Sequence, residues 1–499
     1  MNVLIYIEDV LGFHFATDLE FAVKHLRRGD EVHLLTCQGG LQTCPANNVH
    51  DTKTCILCRS KLHTGLEIDE LEDAEAHVLD LDRYKETVSI PSFSTIDDLK
   101  DFEIDGINHG MEAASTMISA LRKPRPDMDE HRDLVERSLF TAIAVYRASL
   151  RRIEELQPDR CYVLNGRRAS QMPFVRAAWE KDRKLYTFEV GHDADKYILV
   201  EDTYFHDLDN KKREIEEYWS DDTPFEEKKE LADQFFRDRR YGSGEKYLEA
   251  QFKEEQRQGA LPDDFDASRR NVVIFNSSED EFAAVEGYEN PVYETQVQGI
   301  HRIIENSDLD DDIHIYLRVH PSLTNVENYQ TRAIEQLEAD NLSVIPANSD
   351  VDSYALMEAC EKVVTFGSAM SIESAYAGKP SILLGREPYE DLGACYTPDS
   401  HEEAIALLND PGLPPRDQLG ALKYGYYVVS RDRAYEFHDP QENTLFGQEL
   451  LPSRLARYKV MYLEKGALSV LSYVVRRLSH YASELLGLNP QLNVPTRSE

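Results

Sequence analysis

Basic residues are few in this sequence relative to acidic ones. Fifty-five Lys and Arg stand against 92 Asp and Glu, a formal net charge of -37 over 499 residues. A surface of that sign repels phosphate backbones and anionic headgroups, which opposes sequence-independent binding to nucleic acid or anionic lipid. Arg outnumbers Lys, and an acidic, Lys-poor surface fits a salt-rich cytoplasm in which self-repulsion is screened. Cysteine is scarce as well, and seven residues in so long a chain do not make a secreted disulfide scaffold. No run approaches the roughly 18 uninterrupted apolar residues that a membrane span needs. The opening MNVLIYIEDVLGFHF has no basic start and no small-residue cleavage site, so it reads as a buried strand and not as a signal peptide. A soluble cytoplasmic protein is expected. No Walker A loop, GxGxxG, HExxH or GxSxG element stands where its mechanism would work, which sets aside kinase, dehydrogenase, metalloprotease and hydrolase chemistry.

What is present is material for more than one core. Hydrophobic residues make up 41% of the chain, with 26 Tyr and 19 Phe, and the length calls for two or more domains. Short apolar runs at 2–7, 31–36, 76–81, 160–164 and 185–190 alternate with helical stretches at 13–28 and 138–156. A second series has strands at 272–275, 313–319, 342–345, 362–366 and 381–384, with helices at 291–305, 329–340, 352–360 and 371–377. Strands alternating with helices imply βαβ units and parallel sheets. The charged stretch from about 210 to 258 reads as a solvated helical connector. The amphipathic stretch 454–486 reads as a helix packed on the folded body, with a membrane surface as the alternative. The expected fold is α/β with two Rossmann-like doubly wound domains, at 1–208 and 269–425, a connector at 209–268 and a C-terminal helical segment at 426–499.

In open parallel sheets ligands bind beyond the carboxyl ends of the strands. In the second series those ends read Asn276-Ser277-Ser278-Glu279-Asp280, His320-Pro321-Ser322, Asn348-Ser349-Asp350, Gly367-Ser368-Ala369-Met370-Ser371 and Gly385-Arg386-Glu387. Hydroxyl, amide and imidazole donors at nearly every end suit an anionic or sugar ligand. In VVTFGSAMSIESAYAGKPSILLG a strand turns at Gly367-Ser368 into a helix, whose free N–H groups with the Ser368 and Ser371 hydroxyls would hold a phosphate. Glu373, one turn in, could accept hydrogen bonds from sugar hydroxyls. The alternative is that Ser368 only caps its helix. His320, held by the following Pro321, can donate to a phosphate oxygen, and Arg318 adds charge.

The order of these motifs, a strand-end RxHP followed by GS…E…GKP, resembles the nucleotide-sugar domain of GT-B glycosyltransferases. It is most similar to the capsule polysaccharide biosynthesis group, which includes Kdo transferases. Phe188-Glu189-Val190-Gly191 followed by Tyr197-Ile198-Leu199-Val200-Glu201 looks like that group's stretch between the domains, and the resemblance covers about 185–205 and 270–390. It implies two domains facing across a cleft, a nucleotide-sugar donor, and a glycan or lipid-linked acceptor at a surface-polysaccharide step. Peripheral membrane association and the absence of an organic cofactor go with it. Arg318, His320, Gly367, Ser368, Ser371 and Glu373 would hold the donor, and Glu189 would be the base of an inverting transfer, with His320 steadying the leaving phosphate. Asp9, His14, His192 and Asp193 are the rival acceptor-side groups. His192-Asp193 stands where the group more often carries an aromatic or aliphatic residue.

Cys37, Cys44, Cys55 and Cys58 fall in one polar stretch, expected to be a loop, and the last two have CxxC spacing. A structural four-thiolate zinc site is expected, with an iron–sulfur cluster or unligated thiols as the alternatives. Two further functional readings stay open: an epimerase acting on the nucleotide sugar alone, which would need more cleft carboxylates and no acceptor groove, and a non-catalytic scaffold of polysaccharide assembly.

Overall fold

The computed structural model describes residues 1–12, 14–84, 89–242, 256–440 and 444–450. The first half builds a seven-stranded sheet from β1 (Asn2–Ile7), β2 (Glu31–Thr36), β3 (Glu75–Val78), β6 (Arg160–Leu164), β7 (Lys184–Val190), β8 (Lys196–Glu201) and β14 (Arg433–Ala434). Their order is β14-β8-β7-β6-β1-β2-β3. A small hairpin, β4 (Glu103–Ile104) with β5 (Ile107–Asn108), stands apart. All pairings from β7 to β3 are parallel, while β8 runs antiparallel to β7 and β14 antiparallel to β8. The two-residue period of a strand explains the continuous apolar run NVLIYI. Val3, Ile5 and Ile7 face a core shared with Phe15, Leu19 and Leu34, whereas Leu4 and Tyr6 face Ala144, Val163 and Phe174 on the other side.

The second sheet contains β9 (Arg270–Phe275), β10 (Ile313–Arg318), β11 (Leu342–Ile345), β12 (Lys362–Thr365) and β13 (Ser381–Leu383). It is wholly parallel, in the order β11-β10-β9-β12-β13. The chain winds outward from β9 to β11, then returns to β9's other side. That reversal opens a crevice at the carboxyl ends of β9, β10 and β12. Gly385, just past β13, is required by contact: a Cβ there would lie 2.4 Å from the Phe366 carbonyl oxygen.

Three expectations need correction. The charged connector is not a solvated arm: its helices Leu208–Trp219 and Phe225–Tyr241 pack with Leu419–Ser430. Ile215, Phe235, Phe236 and Tyr427 bury against Ile372 and Ala375 of the helix that follows β12. The segment after 430 is not helical over 433–450. It adds β14 to the first sheet, then forms β15 (His438–Asp439), β16 (Thr444–Leu445) and β17 (Gln448–Glu449). Leu445 and Leu450 enter the first domain's core, where spacing alone gave no sign that this segment folds back. The long helix is Arg132–Leu156, starting earlier than expected. The amphipathic stretch 454–486 lies outside the described residues, among which no helix is long and apolar enough to cross a membrane.

Glu20 holds the returning segment. Its fully buried carboxylate accepts the Glu436, Phe437 and His438 backbone N–H groups at 2.6, 3.0 and 3.0 Å and pairs with Lys24 at 2.9 Å. Glu20→Ala leaves these donors without their acceptor and should cost about 3–5 kcal/mol. The expected result is a lower melting temperature, with proteolysis beginning near residue 435; an unchanged cleavage pattern would show that the segment is held elsewhere.

Candidate functional site

A cleft of about 510 Å³ opens where the carboxyl ends of the second sheet meet the helices that leave the first. Asn276 and Ser277 follow β9, His320 and Pro321 follow β10, Gly367 through Met370 follow β12, and Glu387 follows β13; all line it. His206, Lys211, Arg239 and Tyr424 close the opposite wall. Gly367 has φ +103°, a left-handed conformation favouring glycine, and it turns the chain from β12 into the helix Ala369–Tyr376. Ser368 caps that helix, its hydroxyl accepting from the Met370 N–H at 3.3 Å.

His320 is set by its neighbours. Its N–H bonds the Asn276 side-chain oxygen at 3.0 Å, and its Nδ1 accepts the Ser322 backbone N–H at 3.1 Å. In the neutral ring the proton therefore sits on Nε2. Burial, with Arg318 and Arg122 nearby, holds this imidazole down at about 4, so it acts as a neutral donor rather than a cation. His206 is a second neutral imidazole, kept well below the ordinary value by burial and by Lys211. Asn165 Nδ2 donates to its Nε2 at 3.2 Å, which puts the proton on Nδ1. That Nδ1 is buried and has no hydrogen-bond partner among the described residues.

Two expected donor ligands turn out to be structural. Arg318 lines the cleft but gives its guanidinium to the carbonyls of Val319, Pro346 and Ser349 at 3.0, 2.5 and 3.2 Å, tying down the loop after β11. Burial lowers it to about 10, which still leaves it charged beneath the site. The Ser371 hydroxyl points into the core against Ser381 Oγ at 2.9 Å, because the third residue of the helix faces the sheet. Glu373 lines the cleft with both oxygens engaged, one by Arg239 Nε at 2.7 Å and the other by the Tyr354 hydroxyl.

On the acceptor side the structure brings two of the five expected groups, Glu189 and His14, into contact. Glu189 does not line the cleft. Its oxygens meet His14 Nε2 at 3.1 Å and Asn165 Nδ2 at 2.7 Å, so Asn165 links it to His206 in the cleft wall. The Glu189 side chain is 19% exposed. His192 and Asp193 sit in the β7–β8 turn, their backbone N–H groups bound by the Asp432 carboxylate at 3.0 and 3.2 Å. Burial lowers the His192 imidazole to about 4, and Asp193 pairs with Lys196 at 2.9 Å; neither lines the cleft. Asp9 lies apart, against Gly12.

The cysteines also differ from expectation. Asp51 caps a helix, Thr52–Leu66, that carries Cys55 and Cys58, so the region is not simply a loop. Cys37 and Cys44 border the core that contains Leu4 and Tyr6, Cys58 borders the one that contains Val3 and Ile5, and Asn47 Nδ2 donates to Cys55 Sγ at 3.2 Å. Among the described residues, no three of these sulfurs lie within 4.8 Å of one another.

Lys211, Arg239 and His206 were not anticipated. Lys211 and Arg239 lie in charge-dense helices whose pattern shows an exposed face but not what that face meets. Burial and Arg431 lower Lys211 to about 7. Burial raises Glu387 to about 8, against the pull of Lys211 and with Glu390 adding repulsion. An anion in the cleft favours charged Lys211 and neutral Glu387, so binding takes up protons. Affinity should therefore fall as pH rises from about 6 to about 9. Sulfate keeps its charge over that range, and calorimetric titration with it should show this slope, flattened in Lys211→Gln. A flat or rising affinity in the unaltered protein would contradict the assignment.

No family model matches the chain, and no curated protein matches it. Solved structures similar to it include Thermosulfurimonas dismutans KpsC, a beta Kdo 2,4 transferase, at 15% identity and TM-score 0.35 over 55% of this chain and 79% of that one. UDP-GlcNAc 2-epimerase from Neisseria meningitidis bound to UDP-GlcNAc is similar at 11% identity and TM-score 0.29, over 86% and 98%. The calicheamicin glycosyltransferase CalG4 is similar at 12% identity and TM-score 0.26, over 94% and 99%. At such scores the fold assignment rests on the strand orders described above: two Rossmann-like domains on either side of a cleft.

Proposed function

We propose that the protein transfers a sugar from a nucleotide-activated donor, bound in the cleft, to a glycan or lipid-linked acceptor reaching it from the first domain. The observation that carries this reading is the convergence of the neutral imidazole donor His320, Lys211 and the Ser368-capped helix on one cavity, with the neutral His206 ring in its wall. Such a set suits a diphosphate: N–H donors for its oxygens and a lysine that gains charge as the anion arrives. Glu373, held between Arg239 and Tyr354, stands one turn away, where sugar hydroxyls would lie.

The test of donor binding is direct. Loss of the His320 hydrogen bond to a phosphate oxygen is worth about 1.5–3 kcal/mol. His320→Ala should bind the preferred CMP-, UDP- or GDP-sugar roughly tenfold to a hundredfold more weakly, with the melting temperature of the free protein retained. Unchanged affinity would remove His320 from the site.

For the transfer step Glu189 is the proposed base: a partly exposed strand-end carboxylate, supported by His14 and joined through Asn165 to the cleft wall. Removing a proton acceptor typically costs roughly 10²–10⁴-fold in rate. Glu189→Gln should lose turnover by that factor while donor affinity is kept. One observation favours the epimerase reading instead: Glu281, Glu373 and Glu387 line the cleft and Glu189 does not. Under that reading nucleotide-sugar turnover proceeds without acceptor, Glu387→Gln abolishes it, and Glu189→Gln leaves it intact. Donor binding with no turnover of either kind would favour a scaffold.

A further inference from the structure

Away from the cleft, the outer edge of the first sheet brings together two imidazoles and a carboxylate. The segments EVHLLT and EAHVLD each carry Glu-x-His, and in a strand residues two apart share a face. β2 and β3 run parallel with His33 opposite Glu75 and Leu35 opposite His77, so Glu31, His33, Glu75 and His77 stand on one face. His33 Nδ1 lies 2.9 Å from His77 Nε2, and the Glu75 carboxylate straddles them at 3.5 Å from the first and 3.7 Å from the second. Among the described residues no other group of three such side chains converges to this degree.

We propose that His33, Glu75 and His77 bind a divalent transition-metal ion of the zinc class. Zinc holds nitrogen and oxygen ligands at about 2.0–2.2 Å, which in a tetrahedron puts ligand atoms about 3.4 Å apart. The three observed separations bracket that value. The other nitrogen of His33, Nε2, faces Glu31 at 3.4 Å, the carboxylate–histidine arrangement that orients a metal-bound imidazole. His33 is buried and Glu75 exposed, so the ion would enter from solvent and keep a water in its fourth position. The nearby cation, Arg152, is engaged by Glu155 at 3.0 Å and by the Val78 carbonyl at 3.2 Å. The donor set, two nitrogens and a carboxylate, disfavours magnesium and calcium, which take all-oxygen shells. Bound there, the ion would staple the edge strand β3, which is otherwise largely exposed, to β2.

The experiment titrates zinc chloride into the full chain after treatment with a chelator that is then removed. One zinc should bind per chain and raise the melting temperature, while magnesium should not. Glu75→Ala changes only an exposed side chain at a sheet edge; it and His77→Ala should each weaken zinc binding by at least about tenfold. Cobalt(II) in the same site should lack thiolate charge-transfer absorption, and Cys55→Ser/Cys58→Ser should bind as the unaltered chain does. Absence of zinc binding overturns the proposal. So does unchanged affinity in both Glu75→Ala and His77→Ala, or loss of the metal in the cysteine variant alone, which would place the ion on the thiols.

Discussion

Arg239 donates to Glu373 at 2.7 Å where both side chains are largely shut off from water, and Tyr354 takes the second carboxylate oxygen. The pair fastens the helix Phe225–Tyr241 to the helix Ala369–Tyr376 that follows the Gly367 turn. Stacking of Phe236 on Tyr376, with ring centroids 4.0 Å apart, completes the joint. Breaking such a pair would leave one buried charge uncompensated. Its electrostatic consequence reaches the cleft. To take the proposed nucleotide-sugar donor, a chain carrying -37 needs a place where phosphate is not repelled. Here Glu373 is neutralised by Arg239, Glu387 is kept protonated by burial, and Arg318 stays charged beneath the floor. With solution screening beyond about 8–10 Å, that local balance decides whether an anion enters, not the total charge.

Much of this was legible in the sequence where a local rule applied. Strands that are buried on both faces are continuous apolar runs, and all five strands of the second sheet were found within two residues of their observed ends. Residues just past β9, β10, β12 and β13 line the cleft, because a parallel sheet leaves its carboxyl ends open, whereas Asn348, Ser349 and Asp350 past the edge strand β11 do not. What a local rule could not reach was direction. Ser371 and Ser368 are three residues apart in one turn, yet one hydroxyl caps the helix and the other packs on Ser381. Arg318 ends a strand as His320 nearly does, but its long side chain runs beneath the loop and finds carbonyls. The KKREIEE stretch has the composition of a solvated helix, and only tertiary packing shows that Lys211 faces a cavity. The four cysteines are close in sequence, but spacing alone does not show that Cys55 and Cys58 ride on a helix while Cys37 and Cys44 lie in the turns before it.

Among the described residues the chain crosses between the two sheets twice, and the crossings lie side by side. It leaves the first sheet after β8 through Phe205 and His206, and it returns from the helix Leu419–Ser430 through Arg431 and Asp432 to β14. Arg431 lies over the Phe205 ring at 5.6 Å, and Asp432 holds the β7–β8 turn by its backbone. Any change in the angle between the sheets must be absorbed at these few residues. They are also the residues that set the cleft wall: His206 is one of them, Lys211 follows five positions later, and Arg431 is among the charges that lower it. A ligand touching His206 and Lys211 therefore touches the crossing itself. The cleft wall and the crossing thus share side chains, with Glu189 only one hydrogen-bonded residue, Asn165, behind them.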